Sequence, residues 1–394
     1  MKTKVFATVV LSVFALHGFA SDKKQSETSQ EPSKAADVRP VMQQILIHIQ
    51  ALRPFMTSES KFVDPKNSET IKGHLADLSK LVKAAKHNET LKAPTMSISR
   101  EVLDGHISET ERIFRVGDKR YARWALNSTL SVCMSCHTQE TQKNANPWKL
   151  TGFAEFGSTF DQAELLFTGR DYEAAIALYD RIIDEYPDNA AKLSDVETAL
   201  ERKVAYYSRV KRDFNQAIES MKRSQNNKRL PESSHRNLIA WEGLFRKQSK
   251  VILPDPKTAN DGQIKAYVDK ELKRGLWDAL IEANNPRLVT NLTMSGILYE
   301  YLHHHPDTKI KPEILYWLAL CDRKINNNFF YSLADIYLKE CVHSFPESPV
   351  AKKCFKEYET HTILSYSGSA GVNVPEDVSA ELRALKMKVN KGRP

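Results

Sequence analysis

Glycine is scarce in this chain, with 14 residues among 394, and no segment alternates β-branched with polar residues. A half-buried strand shows that alternation, whereas a helix buries apolar residues that recur at spacings of three and four. The second pattern fills almost every segment, so we expect an all-α fold. A chain of this length is expected to form two or three domains.

Long apolar runs are missing after the first 20 residues. Residues 1–20 carry Lys2 and Lys4, an apolar run from Val5 to Leu16, and then Gly18, Phe19 and Ala20, which is the pattern of a cleavable export signal. We expect cleavage after Ala20 and a polar, flexible leader over 21–36. No cysteine follows the cleavage point, which argues against a lipid anchor there. No later run approaches the roughly 18 apolar residues of a membrane span.

Charge of one sign does not dominate. The formal net charge is +8, and removing Lys2 and Lys4 leaves about +6, spread along the chain. This balance favours acidic partners, but no basic stripe predicts a nucleic-acid site. The residue sets of common enzymes are also missing: no Ser-His-Asp set, paired carboxylates or phosphate-binding loop is evident. We therefore do not expect an enzyme.

Cysteine is rare, with five residues, and two of them lie in the run Cys133-Met134-Ser135-Cys136-His137. Two thiols at this spacing can each form a thioether with a haem vinyl group, and the adjacent histidine can bind the iron. A redox dithiol needs a βαβ context, and a zinc site needs a second ligand pair nearby; neither is present. Because the run follows an export signal, we predict one covalent haem c on Cys133 and Cys136, with His137 as proximal ligand, in the periplasm.

Apolar spacing ahead of this run predicts four helices, at about 37–53, 68–87, 97–116 and 119–137. Pro54 is expected to end the first helix, and Gly117 the third. Helices of nearly equal length with short connections are typical of an antiparallel four-helix bundle.

With its Cys-x-x-Cys-His run near the end of the fourth helix, segment 37–145 resembles the class II c-type cytochromes, the cytochrome c prime group. The resemblance covers just over a quarter of the chain and implies a four-helix bundle with covalent haem. Six-coordinate members supply a methionine from the first helix, which here implies Met42 as sixth ligand. The spacing from Arg39 to Met42 is one residue shorter than usual, and residues 138–140 (Thr-Gln-Glu) replace the group's frequent aromatic and basic tail.

Helix direction in such a bundle indicates which side chains lie near His137. The start of the first and third helices and the end of the second share one end of the bundle with the end of the fourth. Three side chains are expected at this level: Met42, His87 and Met96. His48 and His106 are expected deeper, His48 by about 9 Å at 1.5 Å per residue. Met42 can also be an ordinary core methionine.

From residue 157 onward, helix pairs recur at tetratricopeptide spacing. The first copy has Ala163, Tyr172, Ala175, Tyr179, Ile182 and Pro187. A second copy, 42 residues later, has Ala205, Phe214, Ala217 and Met221. A degenerate third copy has Tyr331, Ala334, Leu338, Cys341 and Pro346.

We interpret 157–365 as a tetratricopeptide-like α-solenoid, which resembles periplasmic repeat proteins that act as assembly scaffolds. Residues 366–394 are interpreted as a C-terminal loop and helix. A solenoid offers a concave surface on which a protein partner, such as a redox protein, can dock. The alternative is a helical array that only packs on the haem-binding segment.

The three remaining cysteines are Cys321, Cys341 and Cys354. An oxidising compartment favours one disulfide among them. Cys341 and Cys354 lie at nearly equal distances from a predicted helix turn at 345–347, so they face each other across a hairpin, within the separation a disulfide needs. We therefore predict the bond Cys341–Cys354, with Cys321 free and buried.

Together these patterns predict a periplasmic monohaem c-type cytochrome for electron transfer, with a repeat scaffold that docks a protein partner. Two alternatives stay open. One is a gas-binding or sensing module with five-coordinate iron, a state common in the cytochrome c prime group. The other is a partner-binding scaffold in which the haem is structural.

Overall fold

The computed structural model describes residues 38–85, 94–139, 157–272, 287–325, 331–369 and 371–391. These residues form sixteen α-helices and one two-stranded hairpin, so the all-α prediction is confirmed. Among the described helices, none is long and apolar enough to cross a membrane. The predicted signal peptide and leader lie outside the described residues, as does the predicted domain boundary at 145–157.

The first five helices, which we call the N-terminal helices, pack in chain order. They are α1 (Arg39–Met56), α2 (Glu59–Val63), α3 (Ser68–Ala84), α4 (Pro94–Arg115) and α5 (Lys119–His137), with a 3-10 turn at Pro65–Asn67. The long helix α1 packs on α3, α3 on α4, and α4 on α5. This order brings the end of α3 and the start of α4 to the end of α5, as the sequence predicted.

The structure tests two predicted helix ends, at Gly117 and at Pro54. Gly117 follows α4 with a φ of +98°, a left-handed backbone that favours glycine, so the predicted stop is confirmed. Pro54 does not end α1, which continues to Met56, and this prediction is wrong. Leu52 and Met56 are both fully buried, and their packing holds the last turn although Pro54 removes one backbone hydrogen bond.

The remaining helices form a solenoid-like array, which we call the repeat helices. They are α6 (Thr159–Thr168), α7 (Tyr172–Glu185), α8 (Leu193–Ala205), a π-helical segment (Tyr206–Lys211), α9 (Phe214–Gln225), α10 (Glu232–Gln248), α11 (Asp261–Leu272), α12 (Leu288–His304), α13 (Lys311–Lys324), α14 (Ala334–Ser344), α15 (Ala351–Ser365) and α16 (Glu376–Lys391). Consecutive helices pack as hairpins, such as α6 on α7 and α9 on α10. The short hairpin Ser367–Gly368 with Gly371–Val372 was not anticipated.

The residues chosen for tetratricopeptide spacing lie largely inside this array. Ala163, Tyr172, Ala175, Tyr179 and Ile182 are all buried, and so are Ala205, Ala217 and Met221 of the second copy. Small alanines at these positions let two helices approach closely. In the third copy Ala334, Leu338 and Cys341 are buried. Tyr331 is 39% exposed and precedes α14, so that copy contributes three core residues, as many as the second copy and fewer than the first.

The cysteines of the repeat helices lie where the hairpin argument put them. Cys341 on α14 and Cys354 on α15 are at disulfide distance, with their Cα atoms 6.3 Å apart. Cys321 on α13 is a free, buried cysteine. The last helix, predicted over about 375–389, spans Glu376–Lys391 and packs on α14 and α15 through Leu385 and Val389.

Candidate cofactor site

The N-terminal helices leave a cavity at the end of α5. Its closed part has a volume of about 50 Å³, and with the space open to solvent it measures about 680 Å³. Ligand sites are usually concave and mainly apolar, and this cavity has that form. The lining is mainly apolar and includes Ile45 and Ile49 from α1, Val82 from α3, and Leu130 from α5.

All three residues of the predicted haem site line this cavity. Cys133, Cys136 and His137 occupy the last turn and a half of α5, and spacings of three and four place them on one helix face. Cys133 is buried and Cys136 is half-buried. The helix therefore presents two thiols and one imidazole to the same apolar space.

The His137 imidazole has a defined tautomer. Its Nδ1 is hydrogen-bonded to the carbonyl oxygen of Thr168, and a carbonyl only accepts, so Nδ1 carries the proton. Burial, and then the positive charge of Arg170, lower the pKa of His137 to about 3, which keeps the ring neutral. A neutral imidazole held by Nδ1 presents the Nε2 lone pair, and histidines that bind metals are commonly fixed in this way.

The Cys133 thiol is uncharged. Burial, and then the neighbouring Cys136, raise the pKa of Cys133 to about 12. Thiol–disulfide exchange proceeds through the thiolate, so a thiol with this pKa is a poor redox nucleophile. Within the described residues no group of three or more His, Cys, Asp or Glu side chains could hold a metal ion. The Cys133 thiol is therefore poorly suited to dithiol chemistry.

Two methionine side chains face the same cavity. Met96 at the start of α4 is 7% exposed, and its Sδ lies 3.3 Å from the Sγ of Cys136. Met42 of α1 is half-buried and packs in a small cluster with Met96 and Ala85. Both methionines were predicted at the level of His137, and both line the cavity. His87, the third candidate at that level, lies outside the described residues.

The deeper histidines are engaged elsewhere. The Nε2 of His106 lies 2.8 Å from the carbonyl oxygen of Ala125, which fixes its proton on Nε2. His48 and His74 place their Nδ1 atoms 3.0 Å apart. None of the three lines the cavity. The positions of His48 and His106 therefore agree with the expectation that they lie deeper in the bundle than the level of His137.

Sequence reasoning missed the contribution of the repeat helices to this site. The carbonyl that holds His137 belongs to Thr168, the last residue of α6. The Tyr172 hydroxyl of α7 donates to the backbone oxygen of His137 over 3.1 Å. The Ser135 hydroxyl donates to the backbone oxygen of Tyr331 over 2.9 Å. Tyr172 was predicted as a packing residue of the repeat, and no local pattern indicated its contact with α5.

These residues fit a covalent haem. Two thiols at thioether spacing adjoin an imidazole that presents Nε2, and the cavity beside them is apolar. The Arg100 side chain also lines the cavity, is 10% exposed and lies 3.8 Å from the carboxylate of Glu101. The thiols and the imidazole are the residue types that the haem predicted from the Cys-x-x-Cys-His run needs for attachment and iron binding.

Comparison with known proteins supports the repeat prediction. Residues 159–189, which span α6, α7 and the turn after them, match the tetratricopeptide repeat family. No curated protein and no solved structure matches the chain. The first predicted repeat is thus similar to a known family, and it is the hairpin that contacts His137.

Proposed function

We propose that the protein is an exported, periplasmic monohaem c-type cytochrome that transfers electrons and docks a protein partner on its repeat helices. The observation that carries this proposal is the hydrogen bond from His137 Nδ1 to the Thr168 carbonyl, which makes Nε2 the nitrogen that would bind a metal, in a cavity that two thiols also line. When bound, haem supplies one-electron iron chemistry. The function needs no catalytic residues.

The chain's own residues have distinct roles in this proposal. Cys133 and Cys136 would hold the haem covalently, and His137 would bind its iron. Met42 of α1 would supply a second iron ligand. The aliphatic lining excludes water, and exclusion of water together with axial-ligand identity is how a protein sets the potential of a haem.

Partner binding is assigned to the repeat helices. Tetratricopeptide repeats commonly mediate contacts between proteins, and the first hairpin matches that family. A net charge near +6 after signal removal, from +8 less two lysines, favours an acidic redox protein as the partner.

A second candidate function is haem-based gas binding. Among the described lining residues, Met42 and Met96 carry sulfur atoms that could serve as a second iron ligand besides His137. Met96 Sδ lies 3.3 Å from Cys136 Sγ, and Met42 is half-buried. If neither sulfur bound the iron of a haem held here, that iron would have an open position for a diatomic ligand, and the repeat helices, which contact His137, would relay the change.

The decisive experiment is the mass of the exported, denatured protein. We expect one haem to remain attached to the wild type, and the double variant Cys133→Ala, Cys136→Ala to carry none. The matched control is Cys321→Ala, which removes a buried thiol outside the site and should retain haem. Zinc without haem in the wild type would contradict the proposal.

A further inference from the structure

The end of α5 and the α6–α7 hairpin satisfy each other's backbone groups. The last four carbonyls of a helix have no donor within the helix. In α6, three of these carbonyls accept from amides of the following turn. Leu165 accepts from Gly169, Leu166 from Asp171, and Phe167 from Arg170. The fourth, Thr168, accepts from the side chain of His137.

The end of α5 shows the converse arrangement. The carbonyls of Met134 and Cys136 accept from the amides of Thr138 and Gln139. The carbonyl of Ser135 accepts from the side-chain amide of Gln139 over 3.2 Å. The carbonyl of His137 accepts from the hydroxyl of Tyr172, which is 1% exposed and packs edge-on against Phe167. Each helix end is therefore completed by a side chain from the other side of the contact.

The turn after α6 holds this arrangement in place. Arg170 has a φ of +65°, a left-handed backbone that is uncommon for a residue other than glycine. This conformation reverses the chain directly after Thr168 and starts α7 at Tyr172, so one turn delivers both the carbonyl and the hydroxyl to His137. The α6–α7 hairpin is the segment that matches the tetratricopeptide repeat family.

From this geometry we infer that Tyr172 is a positioning residue for the iron ligand, and that the first repeat hairpin sets the reduction potential of the haem. The inference rests on the proposed function. The Thr168 carbonyl, which accepts from the second ring nitrogen of His137, would fix the ring and raise its basicity, and the Tyr172 hydroxyl holds the backbone from which the ring extends. The Thr168 carbonyl and the Tyr172 hydroxyl both belong to the α6–α7 hairpin. A protein that binds and shifts this hairpin would therefore change how strongly His137 binds the iron. By linkage, reduction of the iron changes affinity for that protein by the same factor.

The test compares Tyr172→Phe with Tyr179→Phe in the full-length, haem-loaded protein. Both substitutions remove one buried hydroxyl from α7, but the Tyr179 hydroxyl bonds to Glu164 and not to His137. A loosened imidazole stabilises ferric iron less. We therefore expect the midpoint potential to rise in Tyr172→Phe and to stay at the wild-type value in Tyr179→Phe. Equal potentials in all three proteins would overturn the inference.

Haem content separates this test from that of the proposed function. If the wild type carries no covalent haem, the proposed function itself is wrong; if all three carry haem with unchanged potentials, only the positioning role is wrong.

A second measurement uses the wild type alone and does not depend on a variant that folds. We expect hydrogen exchange at the amides of Gly169 and Asp171, which close the end of α6, to differ between the oxidised and reduced protein. The amides of Asn226 and Asn227 at the end of α9 serve as the control and should exchange equally in both states. Unchanged exchange at Gly169 and Asp171 would also overturn the inference.

Discussion

The repeat helices and the N-terminal helices fill their interiors in different ways. Across the first two repeats, Tyr172, Tyr179 and Tyr206 are at most 1% exposed, and the ring centroids of Tyr172 and Tyr206 are 5.4 Å apart. The N-terminal helices instead border a cavity next to Cys133 and His137 that opens to solvent. Protein interiors are normally close-packed. The described repeat helices thus pack tyrosine against tyrosine, whereas the described N-terminal helices leave space beside the candidate cofactor site.

Buried polar side chains also differ between the repeat helices and the N-terminal helices. The buried carboxylate of Glu164 accepts two hydrogen bonds from Arg202, over 3.0 and 3.1 Å, and a third from Tyr179 over 2.5 Å. Near the cavity the corresponding donors are an imidazole and two thiols, which can bind a metal and a vinyl group. In the Glu164 network the buried polar side chains pair with one another. At the cavity the thiols and the imidazole also face a space that a ligand could enter, and substitutions distinguish the two arrangements.

The largest expected change is in the spin state of the haem. If Met42 is the sixth ligand, the wild type should be low-spin in both oxidation states, and Met42→Ala should become high-spin and bind carbon monoxide readily. Met96→Ala is the matched control, because it removes a second methionine from the same cavity, and it should stay low-spin. Electronic absorption spectra with and without carbon monoxide provide the measurement. A high-spin wild type would remove Met42 from the ligand set and favour gas binding.

The next largest effect concerns the closed network of the repeat helices. Glu164→Gln leaves the Arg202 guanidinium buried without its countercharge, and breaking a buried ion pair in this way costs about 3–5 kcal/mol. We expect a fall of that size in the free energy of unfolding, measured by urea titration. Glu173→Gln is the control: its carboxylate also contacts a tyrosine and a lysine, but it is 58% exposed, so the loss should be under about 1 kcal/mol. Equal losses would contradict the assignment.

Reduction of the Cys341–Cys354 disulfide should be somewhat less damaging. The bond closes 13 residues of sequence, and a loop of that order contributes about 3 kcal/mol. We expect reductant to lower the melting temperature of the wild type but not that of Cys341→Ala, Cys354→Ala. Because the bond joins α14 to α15, the haem spectrum should be unchanged. Peptide mapping that finds Cys321 in a disulfide would show the pairing to be wrong.

The smallest effect is a pH dependence in the N-terminal helices. Burial lowers the pKa of His106, opposed by its hydrogen bond to Ala125, so the unfolded chain takes up the proton first as the pH falls. The stability from a neutral His106 is complete above about pH 6.5 and declines below it, by at most about 1.4 kcal/mol per pH unit. His106→Gln keeps a donor and should show a shallower decline between pH 7 and 5 in thermal unfolding. An identical decline would assign the pH dependence to other groups.

Much of the fold could be predicted from the sequence because its determinants are local. The predicted helix 119–137 coincides with α5, since Asp118 caps its start and apolar residues recur along one face. The Cys341–Cys354 pair followed from distance to a turn. The prediction that Pro54 ends α1 is wrong because the loss of one backbone hydrogen bond is outweighed by the burial of Met56.

The parts that could not be predicted depend on contacts distant in sequence. Thr168 and His137 are 31 residues apart, and Glu164 and Arg202 are 38 apart. A backbone carbonyl carries no side-chain signature, so nothing in residue type marked Thr168. Glu164, Arg202 and Lys203 are charged residues, which are expected at the surface until a partner is known, and here their partners come from neighbouring helices.

The capping of α5 by α7 also bears on biogenesis. Under the proposed function, the attachment site is complete once α5 has been exported, because Cys133, Cys136 and His137 lie within a single helix. The carbonyl and hydroxyl that orient His137 belong to α6 and α7, which follow later in the chain. On that proposal, covalent attachment would need α5 alone, whereas the orientation of the His137 ring would also need the first repeat hairpin to have folded against α5.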